Sequence, residues 1–267
     1  MRKHFFGIMA CAFLTACSTK DNSNPINNIL KSKDIELSNN IIQKEYLGDF
    51  STIKVGTSIN AEVVKSDEEK VIIYAPKEII DKVLVENTDG NLSIRIKPQI
   101  NLYSTRYINA KIFAKDFKAI TANSSADIVV RPTFTQNQLS ISVSSSGSIK
   151  GDFEANDLHI QTSSSGDYSG NIWALNLIAD ASSSGDITLK GQSKNAILKT
   201  SSSADIKAKE LTVENAEAKA SSSGSIEVSV SKRLVADANS SGEIIAYKKG
   251  EISVEKTQSS SGRVSVR

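Results

Sequence analysis

The chain has 267 residues, with 32 Lys and Arg against 30 Asp and Glu, for a formal net charge of +2. Arg2 and Lys3 account for that excess, and both lie in a segment that we expect to be cleaved. The mature chain is therefore formally neutral. Because nucleic-acid binding depends on neutralising phosphates with Lys and Arg, this balance makes nucleic acid a poor candidate partner.

The N-terminus has the layout of an export signal, with basic residues, an apolar stretch over 5–14 and small residues before Cys17. A membrane-spanning helix needs about 20 apolar residues. The stretch is shorter, so we expect cleavage after residue 16. Leu14-Thr15-Ala16-Cys17 resembles the bacterial lipobox, which predicts lipidation of Cys17 and a membrane partner through that lipid. An ordinary secretory signal is the alternative.

Residues 17–40 are rich in Asn, Ser and Lys, a composition that favours a flexible tether. Cys11 leaves with the signal and lipid consumes Cys17, so no thiol remains for a metal site or disulfide, and we expect no cofactor. Ser18 after the lipidated cysteine resembles sorting to the outer membrane. We expect an outer-membrane lipoprotein of the cell envelope, facing either the surface or the periplasm.

Residues 41–118 alternate apolar and polar side chains in short runs, which predicts an antiparallel β meander. Strands are expected over 51–55, 59–64, 70–75, 83–86 and 92–96. Asp89-Gly90 suits a hairpin turn. One helical turn is expected over 76–82, because Pro76 suits a helix start.

Residues 119–267 contain eight copies of Ser-Ser-(Gly or Ala)-x followed in seven of them by an aliphatic residue. The Gly or Ala positions differ by 21, 19, 19, 19, 20, 18 and 20 residues. This period predicts a right-handed parallel β-helix-like solenoid of about eight rungs, with a tight corner at each Ser-Ser. Rungs spaced by about 4.8 Å would align the corners into a ladder of about 34 Å. We assign this structural ladder to Ser145, Ser164, Ser183, Ser202, Ser222, Ser241 and Ser260.

The lipobox, the segments Phe50–Val55 and Asp89–Ile94, and the recurrent Ser-Ser-Gly-Asp-Ile corners together resemble the putative auto-transporter adhesin head GIN domain family of Bacteroidota lipoproteins. The resemblance covers about residues 45 to 265. It implies a two-part all-β structure with a β-helical C-terminal part and supplies no catalytic residues. Ala126 and Ala204 replace the corner glycine, from which we expect those two corners to avoid positive φ, and Tyr168 replaces the aliphatic residue.

Catalytic chemistry finds little support in this composition. His159 alternates with two apolar residues and should face solvent, and it is the single histidine after cleavage. The serines lack a visible base and oxyanion hole. Asp167, Asp186 and Asp205 follow three successive corners and would form a carboxylate ladder able to bind calcium or another ligand; alternatively, each aspartate caps its own turn.

The sequence favours a non-enzymatic, lipid-anchored envelope protein, an adhesin or binding module that contacts glycan or surface protein along a polar face. A glycan-active enzyme is one alternative, and an envelope structural or stress-related scaffold without ligand is another. Arg263 and Arg267 are expected to protect the open end of the stack against edge pairing. A homodimer through that end is the competing prediction.

Overall fold

The structure, a computed structural model, describes residues 40–99 and 107–267. The expected signal, Cys17 and the tether up to residue 39 lie outside the described residues. Within them, nineteen strands join into one sheet. The strands are β1 (Ile41–Leu47), β2 (Thr52–Val55), β3 (Asn60–Lys65), β4 (Lys70–Pro76), β5 (Val83–Thr88), β6 (Asn91–Ile96), β7 (Asn109–Ala114), β8 (Ala119–Ala122), β9 (Asp127–Arg131), β10 (Phe134–Val143), β11 (Ser148–Lys150), β12 (Phe153–Thr162), β13 (Asp167–Ala181), β14 (Asp186–Thr200), β15 (Asp205–Ala220), β16 (Ser225–Ala238), β17 (Glu243–Lys248), β18 (Ser253–Gln258) and β19 (Arg263–Val266).

The C-terminal part is a parallel β-solenoid of about eight turns, as the repeat predicts. Each strand pairs in parallel with the equivalent strand of the next turn, so that Asp167 aligns with Asp186 and Asp186 with Asp205. A 3₁₀ turn at Ile80–Lys82 is the one helical segment of the described residues, shorter than the turn expected over 76–82. It is far too short to cross a membrane.

The N-terminal part is antiparallel at β1–β4, β4–β7 and β5–β6, and the hairpin at Asp89-Gly90 forms with both residues at positive φ. The boundary expected at residue 118 does not separate two structures, however. Strands β2 and β3 pair in parallel with β8 and β9, and on their other side with β6 and β7. Four strands of the expected meander therefore already belong to the parallel stack.

Each Ser-Ser corner is a two-residue β-turn. Both serines have φ between 47° and 65°, and the N–H of the following Gly or Ala donates to the carbonyl of the residue before the serines at 2.8 to 3.3 Å. These features are those of a type I′ turn. Thr57-Ser58 has the same positive φ values, and the Ser58 N–H donates to the Ser124 carbonyl, so a ninth corner begins the ladder.

At six of the eight corners the residue after the serines is glycine, and a side chain there would crowd the preceding turn. The sequence expectation that Ala126 and Ala204 mark corners avoiding positive φ was wrong in its premise, because the serines take the left-handed conformation at every corner and the corner glycines do not. A Cβ on Gly242 would lie 2.3 Å from the Ala220 carbonyl oxygen of the preceding turn. The corner glycine therefore permits close approach of successive turns.

Two buried columns flank the corners inside the stack. The column after the corner is large, with Tyr168 aligned on the isoleucines of the neighbouring turns and fully buried. The column before the corner is small, running through Thr162, Ala181 and Thr200. A column of large side chains together with a column of small ones suits a narrow, closely packed interior. Tyr168 fits because its hydroxyl donates to the Gly151 carbonyl at 3.0 Å.

The two ends of the stack differ. At the N-terminal end, Ile79 and Ile80 near the 3₁₀ turn are buried together with Ile108, so apolar side chains cover the interior. At the C-terminal end, every residue of β18 is exposed. Lys256 in β18 aligns with the buried Ala236, so a charge occupies an inward register position in the last turn. An inward-pointing charge discourages edge pairing.

We predict that Gly242→Ala destabilises the protein by about 1–3 kcal/mol, since its Cβ would press on backbone that cannot move aside. Gly147→Ala is the matched control, because there the nearest atom lies at 3.0 Å and a small shift suffices. Urea unfolding of both variants measures the difference. Equal destabilisation would contradict the role assigned to close approach.

We also predict that the native protein is monomeric and that Lys256→Val promotes association through the C-terminal end, because it removes the charge from an unpaired strand. Light scattering of both proteins over a concentration series checks this. Lys249→Val, a charge removal outside the last strands, serves as control. A native homodimer would show that Arg263 and Lys256 fail to protect the edge.

Candidate functional site

The corners form one continuous exposed edge, which we call the serine edge and define as the sixteen serines of the eight Ser-Ser pairs. All sixteen are exposed. In the seven corners before the last, the N–H of the second serine donates to the carbonyl of the first serine in the next turn, at 2.9 to 3.1 Å. Of the predicted ladder, six residues are first serines, whereas Ser241 is the second serine of its pair and Ser240 holds the first position.

The serine edge retains a conformation that serine disfavours. A non-glycine residue in the left-handed region costs roughly 1–2 kcal/mol, and type I′ turns prefer Asn-Gly. Sixteen serines nevertheless occupy these positions. Backbone hydrogen bonds already hold the ladder, so the side-chain hydroxyls are left to face solvent. Strain kept at many equivalent positions points to a use for those hydroxyls.

The predicted aspartate ladder is present beside this edge, and one lysine forms ion pairs with two of its three carboxylates. Asp167, Asp186 and Asp205 occupy successive turns in register. The Lys207 ammonium donates to Asp186 at 2.8 Å and lies 3.8 Å from Asp205. Its charge lies where a bridging cation would bind. Within 40–99 and 107–267, no group of three His, Cys, Asp or Glu side chains could hold a metal.

Within the aspartate ladder, the Asp167 carboxylate lies in an electrostatically unfavourable position. Burial raises the pKa of its carboxyl above the ordinary value, and the Asp186 charge in the next turn raises it further, while Lys207 and Lys150 oppose this. Like charges directly opposite on paired strands are destabilising. Burial likewise raises the pKa of Tyr168, which keeps its phenol neutral inside the stack.

His159 faces solvent as expected, with its Nε2 3.6 Å from an Asp180 carboxylate oxygen. A second ladder, formed by side-chain amides, was not predicted from the sequence. Asn176 donates to Asp157 at 2.9 Å, Asn195 to Asn176 at 3.0 Å, and Asn215 to Asn195 at 3.1 Å. These residues each precede a first serine by seven positions, a periodicity visible in the sequence once the corners are aligned.

This fold and its ladders define the class of the protein, a parallel β-solenoid with a capped N-terminal end. The family model described as "Putative auto-transporter adhesin, head GIN domain" matches residues 49–175 and 160–251. The chain belongs to this family. Family membership indicates a cell-surface or envelope protein. Among curated proteins, none matches the sequence.

Solved structures share the fold. A putative adhesin from Parabacteroides merdae superposes with a TM-score of 0.81 at 19% identity, covering 88% of this chain and 99% of its own. A putative adhesin from Parabacteroides distasonis gives 0.80 at 23% identity, covering 85% and 97%. A putative lipid binding protein from the same organism gives 0.70 at 24% identity, covering 88% and 100%. These likenesses establish the architecture alone.

We predict that Asp167→Asn raises the melting temperature at pH 7 by on the order of 1 °C. A carboxyl whose folded-state pKa is raised contributes stability below its unfolded pKa, and this is lost as pH rises through the folded pKa. The gain should therefore vanish near pH 3. Asp186→Asn is the control, since it removes the negative charge that pairs with Lys207 and should not stabilise. Calorimetric melting at both pH values decides.

Proposed function

We propose that this protein is a non-enzymatic, lipid-anchored binding module of the adhesin type, which contacts an extended ligand along the serine edge. In this proposal Cys17 carries the lipid, the segment up to residue 40 is the tether, and the solenoid stands away from the outer membrane. The orientation that serves adhesion is outward, with the serine edge open to glycan or protein at the cell surface.

The strained serines are the observation that carries the proposal. Asn-Gly would form the same corners at lower conformational cost, yet Ser-Ser occupies all eight. Each hydroxyl both donates and accepts hydrogen bonds. Because the backbone fixes the ladder, the hydroxyls present a regular array whose order does not have to be created on binding, which reduces the entropic cost of association.

The alternatives have weaker support. A glycan-active enzyme needs carboxylates with pKa values set apart in one cleft. Asp167 has a raised pKa, but its neighbour Asp186 is held by Lys207, and the lowered pKa values of Glu214 and Glu217 come from ion pairs with Lys232 and Lys219. A scaffold without ligand would gain stability from Asn-Gly corners, so it leaves the serines unexplained.

The test replaces four central corners with Asn-Gly, which removes the hydroxyls and keeps the turn. Ser164, Ser183, Ser202 and Ser222 become Asn, and the serine after each becomes Gly. We expect an equal or higher melting temperature and at least tenfold weaker binding to any immobilised glycan or matrix protein that the native domain binds. Surface plasmon resonance of both proteins against the same immobilised glycans and matrix proteins measures this.

Ser169→Ala combined with Thr188→Ala removes two hydroxyls from the adjacent strand face and should leave binding unchanged. External protease on intact cells completes the test, since an adhesin must be cleaved from outside. Unchanged binding by the Asn-Gly variant would remove the serine edge from the proposal. If external protease does not cleave the protein and no ligand binds, a structural scaffold in the envelope would be the better-supported function.

A further inference from the structure

Large apolar side chains are exposed together on one turn of the stack. Trp173 and Leu175, both in β13, are 48% and 36% exposed and line the same groove. Trp173 is the single tryptophan of the chain. Tryptophan is highly buried on average, and exposed apolar clusters rimmed by polar residues mark binding surfaces. This turn therefore differs from the polar turns around it.

Trp173 and Leu175 lie at one end of a groove of about 350 Å³ that crosses β13, β14 and β15. Trp173 aligns with Gln192 of the next turn, and Gln192 aligns with Thr212. The buried Ala174 and Ser193 lie between this row and a second outward row. The residues of that second row are Leu175, Lys194 and Glu214.

The polar end of the groove is charged and ordered. Lys232 donates to the Glu214 carboxylate at 2.8 Å, and this bond holds the pKa of Glu214 below its usual range. The carboxylate is thus ionised and able to accept hydrogen bonds. Lys194, close enough to lower the pKa of Glu214 as well, forms no ion pair with any residue in the described part of the chain. Its ammonium is available as a donor.

We propose that this groove binds one or two rings of a neutral oligosaccharide. A pyranose ring has a C–H face, which packs on an exposed indole, and a rim of hydroxyls, which need donors and acceptors together. Trp173 and Leu175 supply the apolar surface, Gln192 and Lys194 donate, and Glu214 accepts. The groove volume falls within the range of small-ligand sites.

A protein partner fits this groove less well. Protein interfaces bury about 800 Å² on each partner around an apolar core depleted of charge. Here two large apolar side chains are followed within two turns by Lys194 and Glu214. The apolar surface is limited to Trp173 and Leu175, and charged groups take the place of the interface core.

The site is separate from the serine edge. Along the chain, Trp173 lies eight residues after Ser165 and ten before Ser183, in the middle of the turn between two corners. A ligand bound along the corners need not contact the groove. The oligosaccharide site therefore goes beyond the proposed function, and either can fail without the other.

Because Trp173 is the single tryptophan, its fluorescence reports on this groove directly. The probes are soluble glucan, mannan, xylan, galactan and chitin oligosaccharides, each titrated into the full mature domain. We expect a saturable change in Trp173 emission with at least one of them. Isothermal titration with Trp173→Ala should then show at least tenfold weaker binding, whereas Trp173→Phe should retain most of the affinity.

Glu214→Gln distinguishes a specific sugar site from non-specific adsorption to Trp173. It removes the charged acceptor and leaves the apolar surface, so we expect it to weaken binding several-fold. Val254→Ala, an exposed apolar residue on the last turn, is the control and should bind like the native protein. The proposal is overturned if no probe changes the emission, or if binding survives Trp173→Ala. Binding that is lost in the Asn-Gly corner variant but kept in Trp173→Ala would assign the sugar to the serine edge instead.

Discussion

The close approach of successive turns is the constraint on which the rest of the structure depends. Parallel strands hydrogen-bonded from turn to turn repeat every 4.8 Å or so, and every corner must repeat at that spacing. A Cβ at most corner glycines would meet backbone of the turn before, as at Gly166 with the Val143 carbonyl oxygen at 2.6 Å. The tight two-residue turn, the small column before the corner and the large column after it all follow from this spacing.

The same repetition determines what the outer surface can be. Outward residues of one period fall into straight rows, so a single side-chain type recurring in the sequence becomes an array. Serines form the edge, amides form the ladder from Asp157 to Asn215, and carboxylates form the row with which Lys207 pairs. A rigid stack holds these arrays before any ligand arrives, which suits recognition by many weak and regularly spaced contacts. The Trp173 groove is an exception to this repetition. Because its residues do not recur along the stack, it suits a compact ligand.

The two ends show how a stack that could grow without limit is stopped. A parallel turn exposes unpaired N–H and C=O groups on its outer edge, which invites further strands. The N-terminal end is covered by antiparallel strands and by the buried Ile79 and Ile80. The C-terminal end is left open but carries Lys256 at an inward position, and Arg263 lies within 3.8 Å of Glu243 beside it. One end is covered by packed side chains, and the other carries charges on its exposed strand.

The sequence by itself determined β2 to β6, the Asp89-Gly90 hairpin, the period and the alignment of the corners, because alternation and turn chemistry are local and the repeat makes register unavoidable. It also identified His159 as outward and Asp167, Asp186 and Asp205 as neighbours in register. It did not predict β1 or β7. Tertiary structure alone decided that β2 and β3 join the parallel stack, since the pairing of β2 with β8 spans residues that share no repeat. It decided that the serines rather than the glycines take positive φ. It also placed Trp173 and Glu214, 41 residues apart, on one groove. The corner conformation and the groove both depend on how closely successive turns pack.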